Sequence, residues 1–147
     1  MPNSAEGPEP RSARVAVDTS VAVAFLDASH TAHRVCVAAL DGRAAVLAGH
    51  AAFESLSVLT RLPGPTQITP SDAATALQSA FPDPCWLSPE QQSQLLAALG
   101  SAGVQGGAVY DALVGEAARV NDRTLFTRDR RAIATYEFLG VPYRLIN

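Results

Sequence analysis

The chain has 147 residues, of which 48% are hydrophobic and 17% are charged, so it contains enough apolar sequence for the core of one domain. All eleven basic residues are Arg. The absence of Lys excludes Walker-type phosphate loops, Schiff-base enzymes and kinases of the protein-kinase pattern. The net charge of -3 also argues against a protein that coats nucleic acid through its overall charge.

The predicted secondary structure alternates between short apolar strands and helices. Residues 1–13, which are rich in Pro, Ser and Glu, are expected to form a disordered arm before a folded domain at 14–147. Buried strands are predicted at 15–17, 45–48, 85–87, 124–127 and 143–145. Helices are predicted at 21–26, 30–41, 51–62, from 70, from 89, at 108–120 and at 131–139.

Several of these helices have a recognisable N-terminal signal. The run DTS at 18–20 favours a helix start, and Ser29 is expected to cap the second helix. Thr69 and Ser88 each precede a Pro, and Gln91 stands in capping-box position to Ser88. Because the strands are continuous apolar runs between helices, we expect an α/β fold with a parallel sheet covered on both faces. Ligands in such open sheets bind at the carboxyl ends of the strands.

The remaining composition favours a cytoplasmic protein. Cys36 and Cys85 lie far apart, each among apolar residues, and are predicted to be free thiols in a reducing compartment. Residues 1–13 lack the apolar stretch of a signal peptide. The longest apolar run, at 15–26, is too short to cross a bilayer and contains an Asp, so no membrane association is expected.

Four of the fourteen acidic residues stand where a solvated carboxylate is not expected. Asp18 and Asp129 lie at the ends of predicted strands. Glu54 and Asp111 lie in predicted helices, on the arcs that hold apolar side chains. Burial of a carboxylate is costly unless the group is paired, hydrogen-bonded or bound to metal.

Each of the four acids also has a purely structural interpretation. Asp18 and Asp129 can cap the helices that follow them, Glu54 can pair with Arg61, and Asp111 can stabilise a first helical turn. Together, however, converging carboxylates repel one another unless a cation lies between them. Carboxylates and water are the ligands that Mg²⁺ and Mn²⁺ prefer, and sites of this kind hydrolyse phosphodiesters.

Four segments, in the same order along the chain, resemble the PIN domain family, and more closely the VapC-type toxin ribonucleases of bacterial toxin–antitoxin modules. The segments are VAVDTSVAVAFL, GHAAFESLSVLTRLPGP, GGAVYDALVGEAA and LFTRDRR. The resemblance covers about residues 14–147 and implies a PIN-like three-layer α/β/α fold with a five-stranded, mostly parallel sheet.

The same resemblance implies an activity and its partners. We expect Mg²⁺-dependent endoribonuclease activity, with Mn²⁺ as a substitute, inhibition by a VapB-type antitoxin, and a homodimer. The residues implied are the acids of a metal site, Asp18, Glu54, Asp111 and Asp129, and supporting hydroxyls of Thr127 and of Thr19 or Ser20.

Cations near the acids are candidates for RNA contacts. Three of the eleven Arg, namely Arg128, Arg130 and Arg131, flank Asp129 and would hold phosphates. The alternative is a solvated helix end with ordinary ion pairs. His50, at the end of a predicted strand, is a further candidate for contact with RNA, with a polar loop residue as the alternative.

The sequence also has features of three other kinds of protein. A catalytically inert PIN-like module that binds RNA or a partner stays open as the alternative. Aspartyl-phosphate chemistry at Asp18, as in haloacid-dehalogenase-like phosphatases or response receivers, is disfavoured. Those families use an Asp together with a Lys, and this chain has no Lys. A zinc site at His30 and His33 is disfavoured because no Cys or acid stands at ligand spacing beside them.

Overall fold

The computed structural model describes residues 13–147, so nearly all of the predicted arm lies outside the described residues. The sheet has four strands, all parallel, in the order β2-β1-β3-β4. The strands are β1 (Val15–Val17), β2 (Val46–Leu47), β3 (Thr124–Thr127) and β4 (Tyr143–Leu145).

The prediction of a five-stranded sheet is wrong for the part of the chain that is described. The predicted strand at 85–87 contributes one isolated parallel bridge, between Ala48 and Cys85. Pro84 has no N–H to donate to a neighbouring strand, and the next helix begins at Pro89. Pairing in this segment is limited to Cys85, whose N–H donates to the Leu47 carbonyl at 3.0 Å and whose carbonyl accepts from the Gly49 N–H at 2.8 Å.

Seven α-helices and one short 3₁₀ helix, at Gly64–Thr66, surround this sheet in residues 13–147. The α-helices are α1 (Thr19–Leu26), α2 (His33–Leu40), α3 (Ala51–Leu59), α4 (Pro70–Ala80), α5 (Pro89–Ala102), α6 (Ala108–Val120) and α7 (Ile133–Leu139). Within this part of the chain, none of the helices has both the length and the apolar character that crossing a membrane requires.

The helix-start signals are confirmed in three of four cases. The Asp18 side chain caps α1, the Thr69 side chain caps α4, and Ser88 forms a full capping box with Gln91 at the start of α5. The prediction for Ser29 is wrong, because its hydroxyl donates to Asp27 in a turn. Helix α2 consequently begins later than predicted, at His33.

Helices cover both faces of the sheet, because neighbouring strand residues point to opposite sides. Val15 and Val17 pack with residues of α1 to α4, whereas Ala16 packs with residues of α5, α6 and α7. Cys36 and Cys85 lie in these two cores as buried free thiols. The result is the three-layer α/β/α arrangement expected from the sequence, around a sheet of four strands.

Two glycines provide a matched test of this packing. A methyl group added at Gly115 of α6 would lie 2.8 Å from Cδ1 of the buried Tyr136 ring and 3.0 Å from Cγ2 of Val141. We expect Gly115→Ala to lower the free energy of unfolding by about 1–2 kcal/mol, because the strain of overpacking exceeds the gain in helix propensity. Chemical denaturation measures this difference.

Gly100 of α5 is the control, because nothing lies within 4 Å of a methyl group added there. Gly100→Ala should raise the free energy of unfolding by up to about 1 kcal/mol. Equal effects of the two substitutions would contradict the close contact between α6 and α7.

Candidate active site

Asp18 is the most buried acid of the candidate site, with 5% of its surface exposed. It follows β1 directly, and its backbone N–H donates to the carbonyl of Phe126 in β3 at 3.3 Å. One carboxylate oxygen accepts from the Ser20 hydroxyl at 2.5 Å and from the Val21 N–H at 3.3 Å. Asp18 is therefore both the N-cap of α1 and the end of a central strand.

The second oxygen of Asp18 is held from the opposite side. It accepts hydrogen bonds from the hydroxyl of Thr127, at the end of β3, and from the hydroxyl of Tyr136 in α7, at 3.1 Å. Burial raises the pKa of Asp18 above its usual value, although all of these hydrogen bonds act in the opposite direction. Burial, and then the charge of Asp18, raise the pKa of Tyr136, so its hydroxyl stays protonated and donates.

Ser20 and Thr127 also connect Asp18 to the loop after β3. The Ser20 hydroxyl accepts from the backbone N–H of Arg128 at 2.8 Å, and the Thr127 hydroxyl accepts from the N–H of Asp129 at 3.0 Å. Each hydroxyl thus donates to Asp18 and accepts from the backbone of the loop after β3. The loop that carries Asp129 is fixed relative to Asp18 by these two side chains.

Glu54 approaches from the first turn of α3 and is partly exposed. Its Oε2 atom accepts from the Thr19 hydroxyl at 3.0 Å, and its Oε1 atom lies 3.4 Å from Nε2 of His50. Thr19 and Ser20 therefore have different partners, since Thr19 orients Glu54 and Ser20 orients Asp18. The His50 ring in turn stacks on Tyr110 with 5.0 Å between ring centroids.

Asp111, in the first turn of α6, has a pKa that is raised by burial and by the other three acids. Its pKa is raised to about 6, first by burial and then by the charges of Asp129, Glu54 and Asp18, while Arg131 acts in the opposite direction. Asp111 therefore lies within electrostatic range of the other three predicted acids. This is the direction of shift that the sequence predicts for converging carboxylates without a cation between them.

The four acids form an open arrangement. Among residues 13–147, no three His, Cys, Asp or Glu side chains are close enough to form a ready-made metal cluster. Mg²⁺ is commonly bound through one or two carboxylates together with several waters, so it does not need such a closed cluster. An all-oxygen donor set with uncompensated negative charge fits a hard divalent cation of this kind.

The three arginines near Asp129 have different environments. The Arg128 guanidinium donates to the Ile146 carbonyl at 2.9 Å, and Arg130 donates to the Asn147 side chain at 2.7 Å. The Arg131 side chain is 94% exposed, with its Nε atom 3.5 Å from Asp129. Arg131 is therefore accessible to a ligand.

Two residues beside the acids were missed by sequence reasoning. Tyr136 had no signal beyond its place in a predicted helix, although a buried Tyr hydroxyl usually requires a partner. Tyr110 is adjacent to Asp111 in sequence, but its contact with His50 depends on how α3 and α6 pack. His30 and His33, whose alternative to a zinc site is an ordinary surface pair in a first helical turn, each have Nδ1 at 3.0 Å from a backbone atom, and α2 begins only at His33.

The fold and site define an α/β protein with an acidic centre at the carboxyl ends of its two central strands. The family model for the PIN domain matches residues 15–138, and the chain belongs to this family. It is 48% identical over 127 residues to Ribonuclease VapC27 of Mycobacterium tuberculosis, an alignment that covers 86% of this chain and 93% of the relative. It is 42% identical over 134 residues to Ribonuclease VapC40 of the same species, covering 90% and 98% of the two chains.

The raised pKa of Asp111 predicts a pH-dependent stability. Asp111 binds its proton more tightly in the folded chain than in the unfolded chain, so its ionisation destabilises the fold. This penalty is absent below about pH 4 and complete above about pH 7. In metal-free buffer, the gain in melting temperature of Asp111→Asn over the natural chain should therefore increase from about pH 5 to about pH 7.5.

Thermal unfolding followed by circular dichroism measures this difference. Asp83→Asn, in an exposed loop, is the control for removal of one negative charge. A melting-temperature difference for Asp111→Asn that stays constant across this pH range, or that shrinks, would contradict the electrostatic cluster.

Proposed function

We propose that the protein is a Mg²⁺- or Mn²⁺-dependent endoribonuclease that hydrolyses RNA with water and acts as the toxin of a toxin–antitoxin pair. The observation that carries this proposal is the electrostatic convergence of Asp18, Glu54, Asp111 and Asp129, with hydroxyl donors fixing two of them. The ribonuclease names of the relatives supply the substrate class. Since RNA is the substrate, we place the activity in the cytoplasm.

In this proposal Asp18 and Asp111 are the principal metal ligands, and Glu54 and Asp129 complete the site directly or through water. A divalent cation held there would lower the pKa of a water molecule and neutralise charge on the phosphate. Asp18 is kept in place by Ser20 and Thr127, and Glu54 by Thr19.

The chain also provides groups that bind and position the substrate. The exposed guanidinium of Arg131 contacts a phosphate oxygen of the RNA, because it is an exposed cation at the rim of the acids. Arg128 and Arg130 contribute positive potential while their side chains hold the end of the chain against the loop after β3. His50 orients Glu54 and contacts RNA through its ring.

Partners are part of the same proposal. A VapB-type antitoxin would neutralise the enzyme by placing a cation among the four carboxylates, for which Arg is well suited because its guanidinium binds carboxylates through paired hydrogen bonds. The homodimer expected from the family resemblance remains a proposal that sedimentation analysis can test.

One observation favours the alternative of an inert PIN-like module that binds RNA or a partner. Both oxygens of Asp18 already accept hydrogen bonds within the chain, so burial of this carboxylate is satisfied without metal. The two functions differ in metal binding and in cleavage, and the next two experiments separate them.

Cleavage of RNA should depend on the acids and on metal. We expect Asp18→Asn and Asp111→Asn each to reduce cleavage of total RNA to the level seen in excess EDTA, because Asn has nearly the size of Asp, and at position 18 can still cap α1, but lacks the negative charge. Asp83→Asn should cleave at the natural rate. Circular dichroism establishes that each variant is folded, and full activity in a folded Asp111→Asn variant would exclude the proposed site.

Metal should stabilise the folded chain. Millimolar Mg²⁺ or Mn²⁺ should raise the melting temperature relative to NaCl of equal ionic strength, since a ligand that binds only the native state shifts the unfolding equilibrium. The increase should be smaller in Asp18→Asn and Asp111→Asn than in Asp83→Asn. No increase in the natural chain would favour the inert module.

A further inference from the structure

Four aromatic side chains form two ring pairs, one of which adjoins the acids. The His50 and Tyr110 rings stack with 5.0 Å between centroids and 20° between planes. The Phe53 and Trp86 rings lie 5.8 Å apart at 46°. His50 has helical dihedral angles and Phe53 follows it by three residues, so these two side chains are neighbours on one face of α3. We call Tyr110, His50, Phe53 and Trp86 the aromatic strip.

Three of the four rings of the aromatic strip are exposed to solvent, and His50 is partly exposed. Phe53 is 63% exposed, Tyr110 50% and Trp86 48%. Single exposed aromatic residues are common on protein surfaces, but contiguous exposed rings mark a binding surface more often. Core packing therefore does not account for this group.

One end of the aromatic strip is part of the acidic site. Tyr110 directly precedes Asp111 in α6, and Nε2 of His50 lies 3.4 Å from Oε1 of Glu54. A substrate strand with a phosphate at the carboxylates would therefore pass next to these rings. Because the acids repel phosphate, such a strand needs attraction from groups that bind its other parts, and aromatic faces bind any base by stacking.

We propose that the aromatic strip stacks the unpaired bases of the RNA strand next to the phosphate that is cut. The stacked pair of His50 and Tyr110 takes the base nearest the carboxylates, and Phe53 and Trp86 take bases farther along the strand. Bases in a duplex are already stacked on one another, so the strip selects single-stranded stretches. This inference rests on the proposed ribonuclease function.

Binding can be measured separately from cleavage. Trp86 is the only Trp of the chain, so its fluorescence reports directly on the aromatic strip. In excess EDTA, a short mixed-sequence single-stranded RNA should quench Trp86 emission. An abasic strand of equal length, which keeps the phosphates, and a duplex RNA should each quench it much less.

Variants test which rings contribute. With fluorescently labelled RNA in EDTA, Tyr110→Ala and Phe53→Ala should each weaken binding by about 5- to 150-fold, while Tyr110→Phe keeps the ring and the affinity. Phe138→Ala is the matched control, since Phe138 is 59% exposed but lies at the end of α7, remote from the carboxyl ends of the strands. In the presence of Mg²⁺, the Tyr110 and Phe53 alanine variants should raise KM more than they lower kcat.

Three results would overturn the stacking proposal. The first is equal binding of the abasic strand, and the second is unchanged affinity in folded Tyr110→Ala and Phe53→Ala variants. The third is Trp86 emission that changes with protein concentration without RNA, together with loss of a dimer in Phe53→Ala on sedimentation, which would make the strip an interface between copies of the chain. If the chain cleaves RNA but fails these binding tests, the ribonuclease proposal stands and the stacking proposal is excluded. If RNA binding depends on the aromatic strip but no cleavage occurs, the ribonuclease proposal is contradicted and the strip remains an RNA-binding surface.

Discussion

The buried carboxylate of Asp18 joins three parts of the fold that are distant in sequence. It accepts hydrogen bonds from α1, from the end of β3 and from α7. The donor in α7 is Tyr136, which lies 118 residues from Asp18 in sequence. A carboxylate with so little exposed surface is tolerated only because its oxygens have these donors. The packing of α7 and the position of the loop after β3 therefore both depend on one side chain at the end of β1.

This dependence divides the acids into two kinds. Asp18 is held by hydroxyl groups on rigid strand and helix ends, which gives it one orientation whether or not a cation is present. Asp111 lies nearer solvent, and burial and the charges of the other acids raise its pKa to about 6. A divalent cation would therefore stabilise the site most by offsetting the charge at Asp111. The fixed carboxylate of Asp18 would determine where that cation lies.

The sequence predicts the parts of this arrangement that depend on local signals. The positions of Asp18 and Asp129 were predicted from the ends of apolar strands. The starts of α4 and α5 were predicted from their Pro and capping residues. Both kinds of signal act within a few residues of the chain. The role of Tyr136 and the contact of His50 with Tyr110 depend on packing between helices that are distant in sequence. The prediction of a fifth strand was wrong for a related reason. An apolar run predicts burial, but it does not determine whether its backbone pairs beyond one bridge.

The chain has little positive charge near the acids with which to attract a nucleic acid strand. The acids repel RNA, the net charge is -3, and two of the three arginines near Asp129 hold the last two residues of the chain. Phosphate attraction alone is then weak, because the exposed Arg131 is itself paired with Asp129 at 3.5 Å. Stacking is insensitive to the sign of the surface charge, so exposed rings next to the acids are a physically suitable way for such a protein to hold a nucleic acid strand. The same geometry favours recognition of bases in a single-stranded stretch over recognition of the phosphate backbone.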